Sequence, residues 1–256
     1  MMPFIKWAGG KSDLVEEIAA LLPPKFETLY EPFFGGAAVF LGLAGTGRFK
    51  RAVLVDANPE LVATFQAVKD DVEWVIREVQ RYTLKPITAG RYYEIRAQRP
   101  RNRYRSAARM IVLNKTGYNG LYRVNRRGGF NAPYGDREHV ALDLENLRAC
   151  SAALQSATLL CGHYHAAIVR ATDRDAVYLD PPYEDPDGKT GGFREYTKDG
   201  FDLIEQDRLA ASCLYLTTRG VLWVASNIDN AHVRGNYAFA NMKTIQVGRA
   251  IGAQAK

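Results

Sequence analysis

The chain of 256 residues predicts an α/β protein. Its sheet is expected to be mostly parallel, with helices on both faces and an antiparallel closing hairpin, and to be interrupted by an insert. Three observations carry this reading. Apolar runs of strand length alternate with helical patterns near both ends of the chain. A basic stretch in the middle breaks that rhythm. The run from Ala176 to Asp180 is stopped by Pro181 and Pro182, which cannot donate ladder hydrogen bonds.

The elements follow in order. SDLVEEIAALLPPKF has Ser12 as an N-cap, acids in the first turns and a Pro23-Pro24 stop, so it predicts a helix. TLYEPFFGG predicts a short strand ending in a glycine turn, and AAVFLGLAG the helix that follows. Ala52 to Val55 is the next strand, ended by Asp56. From Glu60 to Tyr82, Leu61, Phe65, Val68, Val72, Val75, Ile76 and Val79 fall on one helical stripe. Beyond the basic stretch, ATLLCGHY and AVYLD are strands, DLIEQDRLAASCLYLTTRG is a helix ended by Gly220, and VLWVASNID is a further strand. YAFANMKTIQVGR predicts the closing antiparallel pair.

The composition, 47% hydrophobic and 24% charged, is that of a globular domain with a sizeable core. Cys150, Cys161 and Cys213 show no metal-ligand spacing and read as reduced core residues, which points to the cytoplasm. No leader-like segment or membrane-length apolar run is present, so no membrane association is expected. The net charge of +6 is unevenly spread. Between Arg91 and Arg137 twelve Lys and Arg face two acids, a surplus of +10 that leaves −4 for the remainder. Such a block is the footprint of a polyanion-binding module. A solvated face of mixed sign is the plainer alternative, and the imbalance argues against it.

The chemistry-bearing residues lie outside that block. A strand ending in Gly35-Gly36 and opening a helix permits close approach of a ligand to the backbone. Asp56, at the tip of the next strand, stands where an acid hydrogen-bonds ribose hydroxyls. Together they point to an adenosine-containing cofactor. WAGGKS lacks the first glycine of a phosphate loop, since position 5 is Ile5, which excludes that class of ATPase. Its tryptophan, glycines and Lys11 suit a ring-stacking loop whose cation can meet a carboxylate. The exocyclic amine of adenine is a poor nucleophile because its lone pair is delocalised into the ring. A carboxylate at Asp180 and a proline carbonyl, held rigidly, would accept its hydrogens and localise that pair, while Tyr183 offers a face for an unstacked base. No cysteine sits in a nucleophile loop, which disfavours cytosine C5 chemistry. His163 and His165 lack a third ligand in the sequence, so no metal is expected. Phe193 and Tyr196 follow on a glycine-rich loop, as a lid or as a surface anchor.

Asp180-Pro181-Pro182-Tyr183, EPFFGG and FIKWAGGK, in this order and spacing, resemble the Dam-like family of DNA adenine N6-methyltransferases. The resemblance spans nearly the whole chain. It implies a Rossmann-like methyltransferase sheet formed by 1–58 and 145–256, with an inserted helical plus β-hairpin DNA-recognition domain at 59–144. It implies S-adenosyl-L-methionine at Trp7, Lys11, Phe34, Gly35, Asp56 and Asp180, and an adenine pocket formed by Asp180, Pro181, Pro182 and Tyr183. Asn114 to Gly135 is similar to the recognition hairpin of enzymes that methylate GATC. Its Tyr118 and Asn119 would meet double-stranded DNA where the adenine leaves the stack, Leu121 and Pro133 would make apolar base contacts, and Arg123 would read a guanine edge. A monomer or weak dimer on DNA is expected. A cytosine N4-methyltransferase needs the same amine chemistry, but by resemblance Asp rather than Ser at position 180 argues against it. A DNA-binding protein without activity is the other alternative, opposed by the intact motifs.

Overall fold

The computed structural model describes residues 1–125, 129–182 and 201–246. Strands β1 (Thr28–Pro32), β2 (Arg51–Asp56), β3 (Ala157–Cys161), β4 (Ala176–Leu179) and β5 (Leu222–Ala225) form one sheet in the order β3-β2-β1-β4-β5. Every pairing is parallel. The chain builds outward from β1 through β2 to β3, then returns to lay β4 on the other side of β1. The order therefore reverses between β1 and β4 and opens a crevice at their carboxyl ends, as in Rossmann-like folds.

Both β1 and β4 are buried along their whole length, which explains why β4 is continuously apolar, while β1 buries the polar Thr28 and Glu31 beside Leu29 and Tyr30. Leu29, Ala52, Leu54, Ala176 and Tyr178 pack on one face. Tyr30, Val55, Val177 and Leu179, their alternates, pack on the other. The cluster on the first face takes in α1 (Val15–Leu21), α2 (Ala38–Leu43), α3 (Pro59–Asp70) and α7 (Leu144–Leu154), and α4 (Val72–Thr83), α5 (Ala89–Ala97) and α6 (Arg103–Thr116) extend it by packing on α3 and on one another. The second is covered by α8 (His165–Ile168), α9 (Leu203–Thr218) and Val233 of α10 (Ala231–Asn236). The helices of 59–144 share one hydrophobic cluster with the sheet.

Several expectations change. The single stripe from Glu60 to Tyr82 is two helices, because Asp71 leaves helical geometry (φ −157°) and accepts a hydrogen bond from Trp74 N as the N-cap of α4. Ser12 caps nothing; it opens a 3-10 turn, Ser12–Leu14, ahead of α1. Among the described residues the hairpin is not a regular ladder. Asn114 to Thr116 complete α6, a 3-10 turn follows at Tyr118–Gly120, and isolated antiparallel bridges, Gly117 with Tyr134 and Val124 with Phe130, help to tie the returning chain. The closing antiparallel pair is absent over 237–246. There Tyr237 and Phe239 lay their rings beside Trp223 of β5. Cys161 is exposed at the end of β3, whereas Cys150 and Cys213 are core.

Candidate active site

The turn after β1 carries three non-consecutive residues with positive φ, namely Phe33 (67°), Gly35 (48°) and Ala37 (56°). Two of them are not glycine, so this loop holds conformations that cost energy and that cluster at ligand sites. Phe34 N donates to the Val55 carbonyl at 3.2 Å, which ties the turn to β2. Gly35 N donates to Asp56 Oδ2 at 3.1 Å, and Asn58 N donates to Asp56 Oδ1 at 2.9 Å. Burial pushes the Asp56 carboxyl up to about 6, against the opposing effect of these backbone donors. A side chain at position 35 would have its Cβ 2.6 Å from the Trp7 ring, so glycine there is needed for packing as well as for φ.

Glu31 went unremarked in the sequence, although an acid inside an apolar strand is a visible signal. It is buried in β1 and accepts from Phe40 N at 2.8 Å. Burial, with the nearby charge of Asp180 adding to it, raises its carboxyl to about 8.

Asp180 leaves β4 at the reversal point, where Lys11 Nζ meets its Oδ2 at 2.7 Å; the two side chains are 10% and 18% exposed. The N-terminal loop thus delivers a cation to the carboxylate 169 residues away. The carbonyl of Pro182 accepts from Gln206 Nε2 of α9 at 3.2 Å, and Gln206 Oε1 accepts from Asn227 beyond β5 at 3.0 Å. Gln206 and Asn227 escaped the sequence reading because nothing in α9 marks one polar residue as inward. Tyr183, Phe193, Tyr196, Arg126 and Arg127 lie outside the described residues.

Trp7 stacks on Tyr122 with ring centroids 5.1 Å apart. The ring of Phe34 is core, edge-on to Phe65 at 5.0 Å, and its backbone lies in the turn after β1. Phe33 instead places its half-buried ring near Tyr164 and Phe201 at the sheet end. His163 lies 3.4 Å from Glu205 Oε2 and His165 3.4 Å from Ser212 Oγ.

The segment after α6 gathers the remaining predicted residues. Tyr118 is 43% exposed, and its N–H donates to the carbonyl of Pro133, itself exposed, at 2.9 Å. Asn119 is left-handed at φ 52°. Leu121 is half-buried and Arg123 exposed, with Tyr122 buried between them.

Residues 7–251 match the family described as D12 class N6 adenine-specific DNA methyltransferase. The type II methyltransferase M.MjaIII of Methanocaldococcus jannaschii is 34% identical, over 98% of this chain and 93% of its own. The DNA adenine methylase of Vibrio cholerae is 34% identical over 97% of this chain and 89% of its own. That of Escherichia coli K12 is 34% identical over 98% and 89%. Among the described residues no helix is long and apolar enough to cross a membrane. With the strand-end acid, the glycine turn and Asp180 gathered at one crevice, the chain belongs to the D12 class of N6 adenine-specific DNA methyltransferases and is an adenine-specific DNA methyltransferase.

Proposed function

We propose that the enzyme methylates N6 of adenine in duplex DNA at GATC, after the base is turned out of the stack, with S-adenosyl-L-methionine as donor. The observation that carries this reading is Asp180 at the strand-order reversal, paired with Lys11 and facing the turn that Asp56 organises.

The residues fit such a donor. Asp56 supplies a carboxylate for ribose hydroxyls, the left-handed turn supplies backbone approach at Phe34 and Gly35, and Trp7 and Lys11 border the crevice. When bound, the donor brings an electrophilic methyl group. The chain's own work is on the amine: Asp180 and the Pro181 carbonyl accept the N6 hydrogens and draw the lone pair out of the ring. Gln206 pins the Pro182 carbonyl and so holds the corner rigid. Tyr183 is the motif's stacking face for the displaced base.

The segment 59–144 is the recognition part of this reading, and 1–58 with 145–256 the catalytic part. Tyr118 and Asn119 enter where the base leaves, Leu121 and Pro133 make apolar contacts, and Arg123 reads a guanine edge, the commonest specific major-groove contact. The exposure of Tyr118, Arg123 and Pro133 supports it.

Incubation with methyl-labelled S-adenosyl-L-methionine and GATC or scrambled duplexes tests the reading. Label is expected in adenine and only in the GATC duplex; label in cytosine, in both duplexes alike or in neither overturns it. Asp180→Ala is expected to reduce transfer about 10³-fold, the cost of losing a preorganised transition-state partner, with duplex binding retained. Loss of duplex binding in that variant would assign Asp180 a structural role instead.

A further inference from the structure

Tyr122 stands between two proposed DNA contacts yet points the other way. Leu121, Tyr122 and Arg123 alternate half-buried, buried and exposed, as expected of an extended segment whose successive side chains face opposite sides. Among the described residues the inward side chain meets Phe130 edge-on, with centroids 5.6 Å apart, and also reaches Trp7 and Glu60. Its face lies on Trp7, centroids 5.1 Å apart and planes 29° from parallel. Trp7 in turn fills the space that a Cβ on Gly35 would need. Its hydroxyl donates to Glu60 Oε2 at 3.0 Å, and Arg109 Nη1 holds Glu60 Oε1 at 3.1 Å. Glu60 lies in the first turn of α3, whose N-cap Asn58 donates its N–H to Asp56.

The routes from Tyr122 through Trp7 and through Glu60 therefore converge on the same place, the Gly35–Asp56 hydrogen bond at the end of β1 and β2. Asn114 makes the arrangement stiff. It is fully buried, accepts from Lys6 N at 2.9 Å, and donates to Lys6 O at 2.8 Å and Gly120 O at 2.9 Å. One amide thus clamps the N-terminal loop to the turn carrying Tyr118 and Asn119. Gly120 is required there, since its Cβ would lie 2.7 Å from the Lys6 side chain.

We infer that Tyr122 is a positioning residue that couples the methyl-donor site to the DNA-reading segment through its stack on Trp7. The inference rests on the cofactor and recognition assignments proposed above. The ring transmits the position of the Gly35–Asp56 turn to Leu121 and Arg123, and the hydroxyl on Glu60 sets the plane of the ring. Occupancy of one site then changes affinity at the other, and by linkage the change is reciprocal.

Duplex affinity of the full chain, measured by fluorescence anisotropy with and without saturating S-adenosyl-homocysteine, tests it. Wild type is expected to bind the GATC duplex at least about fivefold tighter with the ligand, the lower end of ordinary coupling. Titrating S-adenosyl-homocysteine with and without duplex should return the same factor. Tyr122→Leu should bring the factor close to one, whereas Tyr122→Phe, which keeps the stack, should retain most of it. Tyr122→Met, an unbranched apolar side chain with no ring to stack on Trp7, should also lose the factor, which keeps the test decisive if Tyr122→Leu does not fold. A wild-type factor of one, or a factor surviving in the leucine or methionine variant, overturns the coupling. Equal loss in Tyr122→Phe overturns the stack as its carrier. A wild type that transfers no methyl to adenine sinks the functional reading instead, so the two failures are distinct.

Discussion

Glu31 shows what one side chain takes from its surroundings. All five residues of β1 are buried, so its carboxyl has no water to stabilise a charge, and the Phe40 N–H offsets only part of that loss. The folded protein holds the Glu31 proton up to about pH 8, while the unfolded chain releases it near the ordinary value of 4.5. The stability that this protonation contributes is full below pH 4.5 and is lost as the pH rises through 8. Denaturant unfolding followed from pH 5 to 8.5 should therefore show stability falling by on the order of a few kcal/mol. Glu31→Gln keeps an acceptor for Phe40 without the titration, so its profile should be flatter. Parallel profiles for the two proteins would mean that Glu31 is ionised in the fold at neutral pH. Asp56, raised to about 6, acts in the same sense over a lower window.

At the scale of elements, the segment from Gly117 to Gly135 is held by scattered bonds rather than by a ladder. Tyr118 N to Pro133 O, Asn131 N to Arg123 O and Gly135 N to Thr116 O span it. Tyr92 and Arg96 of α5 reach the carbonyl of Ala132 and seat it on the helices. An element so held can present residues at spacings that a flat hairpin cannot, which suits base reading. Arg123→Ala is expected to relax discrimination at a single guanine by about 1–3 kcal/mol. Methylation rates on duplexes carrying one base-pair change at a time would reveal it. Uniform slowing on every duplex would instead make Arg123 a phosphate contact. The hairpin reading began too early because Asn114, Lys115 and Thr116 are polar and look like the start of a loop, whereas they complete α6 with Asn114 and Thr116 buried. Sequence periodicity misread Glu60 to Tyr82 for a different reason: both helices keep the same stripe across Asp71, and only backbone geometry parts them.

For the molecule as a whole, the strand order and the charge distribution matter most. Placing β4 beside β1 rather than beyond β3 brings Asp180 next to the turn after β1, and no local pattern encodes that neighbour. The stretch from Arg91 to Arg137 carries a surplus of +10 on a chain otherwise at −4; Arg109 is buried against Glu60, while Arg99, Arg101, Arg103, Arg105, Arg123 and Arg137 are exposed. Such a surface should bind duplexes with a steep salt dependence. Arg99 is exposed, with its guanidinium beside Gly129 on the returning strand of that segment. Arg99→Gln should weaken binding equally on GATC and scrambled duplexes and lower the slope of log affinity against log salt by about one. A sequence-selective loss would place Arg99 among the base readers.

The sequence by itself determined the α/β class, the stop at Asp180, the glycine turn after β1 and the basic middle segment. Each follows from local physics: proline has no N–H, glycine admits positive φ, apolar residues repeat with the period of their element, and charge is additive. Tertiary structure alone decided the rest. The Lys11–Asp180 pair joins residues 169 apart, Glu31 holds its proton because distant segments exclude water from β1, and Tyr122 lies on Trp7 because α6 and the N-terminal loop share Asn114. These properties belong to neighbours that only the folded sheet order brings together.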